Sequence, residues 1–141
     1  MLSYGCAPME AYEGPRLPEE EISVIAQAPA SVIMAQKAIP AILCIDGKNA
    51  TGQTVHVAPG QHQVIGCLSD PPAYGIPLGA KTYVCHLEFE TEAGHEYYVN
   101  GSTQDGVTEM WVLDVTTDET VARSTAKPEK NLRSYDCGSG S

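Results

Sequence analysis

TVHVAPGQHQV, residues Thr54 to Val64, is the stretch on which the fold turns. Val55 and Val57 alternate with Thr54 and His56, the two-residue period of a half-buried strand. Pro59-Gly60 then reverses the chain. Proline fixes φ at the first central turn position, and glycine accepts a positive φ at the second. His62 and Val64 resume the alternation. The spacing predicts a β-hairpin inside an all-β domain.

The same period recurs on both sides. Ile22, Val24 and Ala26 alternate with Ser23, Ile25 and Gln27, a first strand that Pro29 interrupts. Ser31 to Ala38 reads as a strand or a bent edge segment, because Val32, Ile33 and the closing Pro40 outweigh its alanines. Ala41 to Ile45 runs into an Asp46-Gly47 turn. Val64 to Leu68 continues the return strand. Ser69 to Gly79 is a long loop with three prolines and two glycines. From Lys81 to Glu90, Tyr83, Cys85, Leu87 and Phe89 share the face expected to point inward. After a turn at Thr91 to Gly94, Tyr97 and Val99 share a face. Gln104-Asp105-Gly106 is a turn signal. In the next strand, Val107, Glu109, Trp111 and Leu113 fall on one side, with Trp111 expected as a core plug or a sheet-face anchor. Thr116 to Glu119 turns the chain into a short final strand, Thr120 to Arg123.

About seven or eight short strands with turns at roughly 8–12-residue spacing predict a single small antiparallel β-sandwich rather than βαβ units. The expected division is an N-terminal linker over 1–20, the sandwich over 21–125 and a polar tail over 126–141. Pro8, Pro15 and Pro18 make the linker an extended tether, with Tyr12, Arg16 and Leu17 as the residues that would otherwise lie along a sheet edge.

The 141-residue chain carries 8 lysines and arginines against 18 aspartates and glutamates, a formal net charge of −10. That balance argues against a nucleic-acid partner, whose phosphates need Lys/Arg neutralisation. It disfavours direct adsorption to anionic lipid for the same reason. The longest apolar run, Ile39 to Ile45, contains Pro40 and is too short to span a bilayer.

Five cysteines, Cys6, Cys44, Cys67, Cys85 and Cys137, are spaced too widely for a CxxC redox or zinc motif. Wide spacing suits disulfides in an oxidising compartment. Gly5-Cys6 reads as the end of a bacterial lipoprotein signal, with Cys6 lipidated, although Tyr4 fits that pattern poorly. Cys44, Cys67, Cys85 and Cys137 then remain as disulfide candidates, two bridges among three possible pairings.

The chain resembles small bacterial envelope lipoproteins with a PEGA-like β-sandwich. The resemblance rests on Gly5-Cys6, YEGPRLPEEE at Tyr12 to Glu21, IDGK at Ile45 to Lys48, VHVAPGQHQV at Val55 to Val64 and LEFETEAGHEYYV at Leu87 to Val99. It covers residues 12–123 and speaks mainly to fold, because the matched residues serve turns and core. It implies a periplasmic or cell-surface accessory protein, attached to the membrane only through lipid on Cys6. Cysteines within the sheet depart from the family pattern.

No cofactor is implied. His56 and His62 flank Pro59-Gly60 and are weak metal candidates if they face each other across the hairpin. His86 and Cys85 are adjacent strand residues on opposite faces and do not share an ion. There is no HExxH, GxSxG or glycine-rich phosphate loop. The glutamates at 88, 90, 92 and 96 read as a hydrated surface rather than a paired-carboxylate hydrolase site. The expected function is a non-enzymatic envelope accessory or interaction module. Its candidate binding loop carries Tyr74 and Ile76, for an envelope protein or a glycan. A metal-binding periplasmic protein, and after it a hydrolase, are the alternatives.

Overall fold

Strand-forming, β-branched segments dominate the chain, and a computed structural model shows them as two stacked sheets. It describes residues 9–28, 39–51, 53–70, 81–128 and 136–137. The strands are β1 (Met9–Glu10), β2 (Ser23–Gln27), β3 (Ile39–Ile45), β4 (Lys48–Asn49), β5 (Val55–Val57), β6 (Gly60–Asp70), β7 (Lys81–Thr91), β8 (Glu96–Gln104), β9 (Val107–Asp114), β10 (Glu119–Thr125) and β11 (Lys127–Pro128). One sheet has the order β1-β5-β2-β8-β9-β10, the other β11-β7-β6-β3-β4. Glu19–Glu21 form a single 3₁₀ turn. The expected Ser31–Ala38 segment lies outside the described residues.

The sandwich class stands as read. Among the described residues, eight strands are three residues or longer besides the two-residue β1, β4 and β11, and the pairing is antiparallel except at β1–β5 and β2–β8, which are parallel. Val55, Val57, Leu87, Phe89, Tyr97 and Val99 all point between the sheets and are at most 3 % exposed. Each such side chain contributes about 1.5–3 kcal/mol by leaving water. Gly66 on β6 faces Met110 of β9 across this layer, and Gly101 on β8 stands beside Met110 in the same sheet.

The hairpin expected at Pro59-Gly60 is not formed. β5 belongs to the six-stranded sheet, where it pairs with β1 and β2. β6 belongs to the other sheet, between β3 and β7. Two-residue hairpins need positive φ at the first central position, which proline forbids. Here the proline followed by Gly60 at φ +138° lets the two strands diverge into separate layers. The Thr91–Gly94 turn does the same between β7 and β8. By contrast, Asp46-Gly47 and Asp105-Gly106 carry positive φ at both positions and close true two-residue hairpins.

A second correction concerns β9. Thr108, Met110, Val112 and Asp114 form its buried face, while Val107 is 51 % exposed. Trp111 is therefore no core plug. It lies on the outer face opposite Arg123 of β10, whose guanidinium sits 5.0 Å from the ring centroid.

Part of the segment read as a tether also joins the sheet. Met9 and Ala11 donate to the carbonyls of Thr54 and His56, both at 2.8 Å. The Tyr12 hydroxyl accepts from the Leu17 amide and donates to Glu10. At the other end, β11 pairs with β7, so the chain beyond residue 125 is not all tail.

Candidate functional site

Two turns at one end of the sandwich bring together the groups with the most chemistry. The turn after β7 carries Glu92, Gly94 at φ +79° and His95. It is fastened to β2 by the Gly94 amide, which donates to Ile22 O at 2.9 Å. The Ser23 hydroxyl donates to Glu92 O at 2.8 Å. The turn after β9 is organised by Asp114. One of its carboxylate oxygens accepts the amides of Thr116 (2.9 Å) and Thr117 (3.2 Å), an Asx arrangement that replaces missing ladder bonds.

The other Asp114 oxygen, Oδ2, lies 2.8 Å from His95 Nδ1, and Glu92 Oε2 lies 3.5 Å from the same nitrogen. The Asp114 side chain is only 3 % exposed. Tyr97, 1 % exposed, accepts the Glu92 amide at its hydroxyl (2.8 Å) and packs a tilted ring on Phe89. Glu92, Tyr97 and Asp114 border an open cleft of about 230 Å³, whose wall Glu90, Thr117, Glu119 and Val121 complete.

The charges are mutually supporting. The hydrogen bond that His95 donates to Asp114 raises the His95 pKa, partial desolvation opposes it, and the Asp114 and Glu92 charges add to the rise. Burial pushes the Asp114 carboxyl up, but the His95 hydrogen bond, the Thr117 and Thr116 amides and the imidazolium charge outweigh it. The net shift is downward. Burial likewise raises the Tyr97 phenol. The Glu92 amide lowers it, and the Asp114, Glu92 and Glu90 charges reinforce the rise. Tyr97 thus stays a neutral hydroxyl at ordinary pH. The arrangement has the makings of a cation site: Glu92, His95 and Asp114 each offer one donor atom, all within 4.8 Å of one another.

His56 and His62, the expected metal pair, are separated by the layer change. His56 pairs with Val24 in one sheet, while His62 pairs with Phe89 in the other. The His62 ring bridges Asp46 Oδ2 and Ala58 O, each at 2.6 Å, so it fastens the layer crossing to the β3–β4 turn. Asp46 Oδ1 also accepts the Gln63 amide at 2.8 Å.

Among the disulfide candidates, Cys44 and Cys137 are bonded, with Cα atoms 5.8 Å apart. Cys67 and Cys85 are free thiols. The second expected bridge fails by one register step: Cys85 stands opposite Gly66, and Cys67 opposite Val84. The two thiols consequently face opposite sides of the sheet. Burial raises the pKa of both; for Cys85, hydrogen bonds to Ser124 and Met110 oppose the rise. Cys6, Tyr74 and Ile76 lie outside the described residues.

The Glu92–His95–Asp114 grouping was not singled out from sequence. His95, in the turn before β8, and Asp114, at the end of β9, are 19 residues apart. The one local signal was Asp114 followed by Thr116 and Thr117, a side-chain-capped turn. Comparison with family models, with curated proteins and with solved structures finds no match.

Proposed function

We propose that the chain is a non-enzymatic accessory or interaction module of the cell envelope, held in the periplasm or at the cell surface by lipid on Cys6. The observation that carries this reading is the Cys44–Cys137 bond, which ties β3 to the C-terminal segment. Such a bond persists in an oxidising compartment. The Gly5-Cys6 pair supplies the anchor in this reading. Met9 is already in the sheet, so only Ala7 and Pro8 lie between anchor and domain, three residue steps that span at most about 11 Å of extended chain. The domain would sit close against the membrane rather than on a long stalk. A protein or glycan partner would meet the Tyr74–Ile76 loop.

The test is recovery of the protein from its native cell by fractionation, with non-reducing mass measurement of the Cys44–Cys137 peptide and a Cys6→Ala comparison. Membrane association that Cys6→Ala abolishes, with the disulfide intact, supports the reading. Recovery in the cytosol with Cys44 and Cys137 both reduced ends it.

Divalent-cation binding is the second reading, favoured by the donor grouping of Glu92, His95 and Asp114. It moves the metal alternative away from His56 and His62. Calorimetric titration with calcium, manganese and zinc salts tests it, with His95→Gln as control. No heat and no change in melting temperature at millimolar ion would remove it.

A further inference from the structure

We propose that the outer face of the five-stranded sheet is a two-position clasp, in which Cys137 exchanges its disulfide partner between Cys44 on β3 and Cys67 on β6. The placement comes from a bulge. Ile42 stands opposite Gly66 and Cys44 opposite Ile65, so Leu43 is the extra residue. Leu43 and Cys44 thereby both join the outer cluster with Ile65 and Val84, while Ile42 and Ile45 face the inner core. Cys67 follows Ile65 by two residues on the same strand and shares its face. Cys67 and Cys137 both pack against this outer cluster. Three sulfurs thus occupy one apolar patch, and Cys85 is excluded from it on the inner side.

Geometry selects which sulfur moves. Cys44 and Cys67 are diagonal neighbours on adjacent strands, with Cα atoms roughly 7–8 Å apart. That exceeds the usual disulfide limit of about 6.8 Å, so a direct bond between them requires the ladder to shift. Cys137 belongs to no strand. It packs against the outer face of the sheet, so a change of its partner breaks no ladder bond.

The exchange balances without any external reagent. The Cys67 thiol gives its proton to solvent, and its thiolate attacks Cys137 Sγ. The Cys44–Cys137 bond breaks as the Cys67–Cys137 bond forms, and the released Cys44 thiolate takes up a proton. One disulfide and one thiol are present before and after. Burial holds the Cys67 thiol above its ordinary pKa, so the thiolate is scarce near neutrality and exchange is slow there. The outcome is a C-terminal segment whose attachment point shifts from one strand to the next.

The experiment is a time course on the intact wild-type chain at pH 7.5 and 8.5, without added thiol. It is quenched with acid, alkylated and mapped by mass spectrometry. The expected result is a Cys67–Cys137 peptide with matching alkylation at Cys44. Its rate of appearance should rise about tenfold between the two pH values, as the thiolate fraction does below the pKa. Cys67→Ser should leave only Cys44–Cys137. Cys44→Ser, oxidised with glutathione disulfide, should form Cys67–Cys137 within a monomer. Persistence of Cys44–Cys137 alone after long incubation, with Cys67 alkylated throughout, overturns the proposal. The wild-type time course decides the matter even if Cys44→Ser does not fold.

Discussion

Met110 gives the sharpest test of how the layers fit together. It is fully buried, with Gly66 facing it from the other sheet and Gly101 beside it in its own. A Cβ at position 66 would lie 2.7 Å from Met110 Cε and 3.2 Å from Sδ. A Cβ at 101 would lie 3.1 Å from the Glu109 carbonyl oxygen, Leu68 Cδ1 and Met110 Cγ. Met110→Ala should cost about 2–5 kcal/mol through lost burial and a residual cavity. Gly66→Ala alone overpacks the layer by about 1–3 kcal/mol, offset by about 0.5–1 kcal/mol because glycine weakens a strand. Because the clash is with the mobile end of methionine, the net cost should be near 1 kcal/mol. In a Met110→Ala background the clashing atoms are gone, and Gly66→Ala should stabilise by about 1 kcal/mol. The coupling energy is then about 2 kcal/mol, readable by urea unfolding in a double-mutant cycle. Gly101→Ala is the control, since the Glu109 carbonyl remains in place, and it should destabilise in both backgrounds. Equal effects of Gly66→Ala in the two backgrounds would refute this account of the packing.

The His95–Asp114 pair sets a pH dependence. A raised His95 pKa contributes stability that is complete below about 6.5 and lost as pH rises through the folded value. A lowered Asp114 pKa contributes above about 3.9 and is lost as pH falls through its folded value. The urea midpoint of the wild type should therefore fall relative to His95→Gln between pH 6 and 8.5; parallel curves would remove the pair's role. Reducing Cys44–Cys137, with its sequence separation of 93, should lower stability by up to about 4.7 kcal/mol on the loop-entropy estimate. An unchanged urea midpoint in a non-thiol reductant would contradict it. Trp111, on the outer face under Arg123, should remain open to acrylamide in the folded protein, and more so in Arg123→Ala. Quenching as weak as that of an enclosed indole would restore the inward orientation.

The inward faces of β7 and β8 were readable because one side of each strand is clearly the greasier. Tyr83, Cys85, Leu87 and Phe89 compete with His86, Glu88 and Glu90, so the period alone decides. On β9 the two sides are nearly matched. Val107, Glu109, Trp111 and Leu113 include one charge, as do Thr108, Met110, Val112 and Asp114. The polar members of the second set are satisfied by partners that alternation does not show: Thr103 across the hairpin for Thr108, and His95 with two turn amides for Asp114. Alternation also cannot say which sheet a strand joins, and Val55–Val64 reads the same for a hairpin as for a change of layer. The aspartate-glycine turns were legible because their backbone requirement is local. The Cys44–Cys137 bond, with Cys67 and Cys85 left free, depended on a bulge and a one-residue offset, neither of which spacing between cysteines encodes.

The parallel union of β2 with β8, where Val24 meets Glu96, has a consequence for biosynthesis. β2 can pair with β5 early, but its other neighbour, β8, is not available until residues 96–99 have left the ribosome or the translocation pore. That second edge must wait unpaired in the meantime. Assembly governed by such distant encounters is slow, and it leaves an early interval in which a holding chaperone would have something to grip.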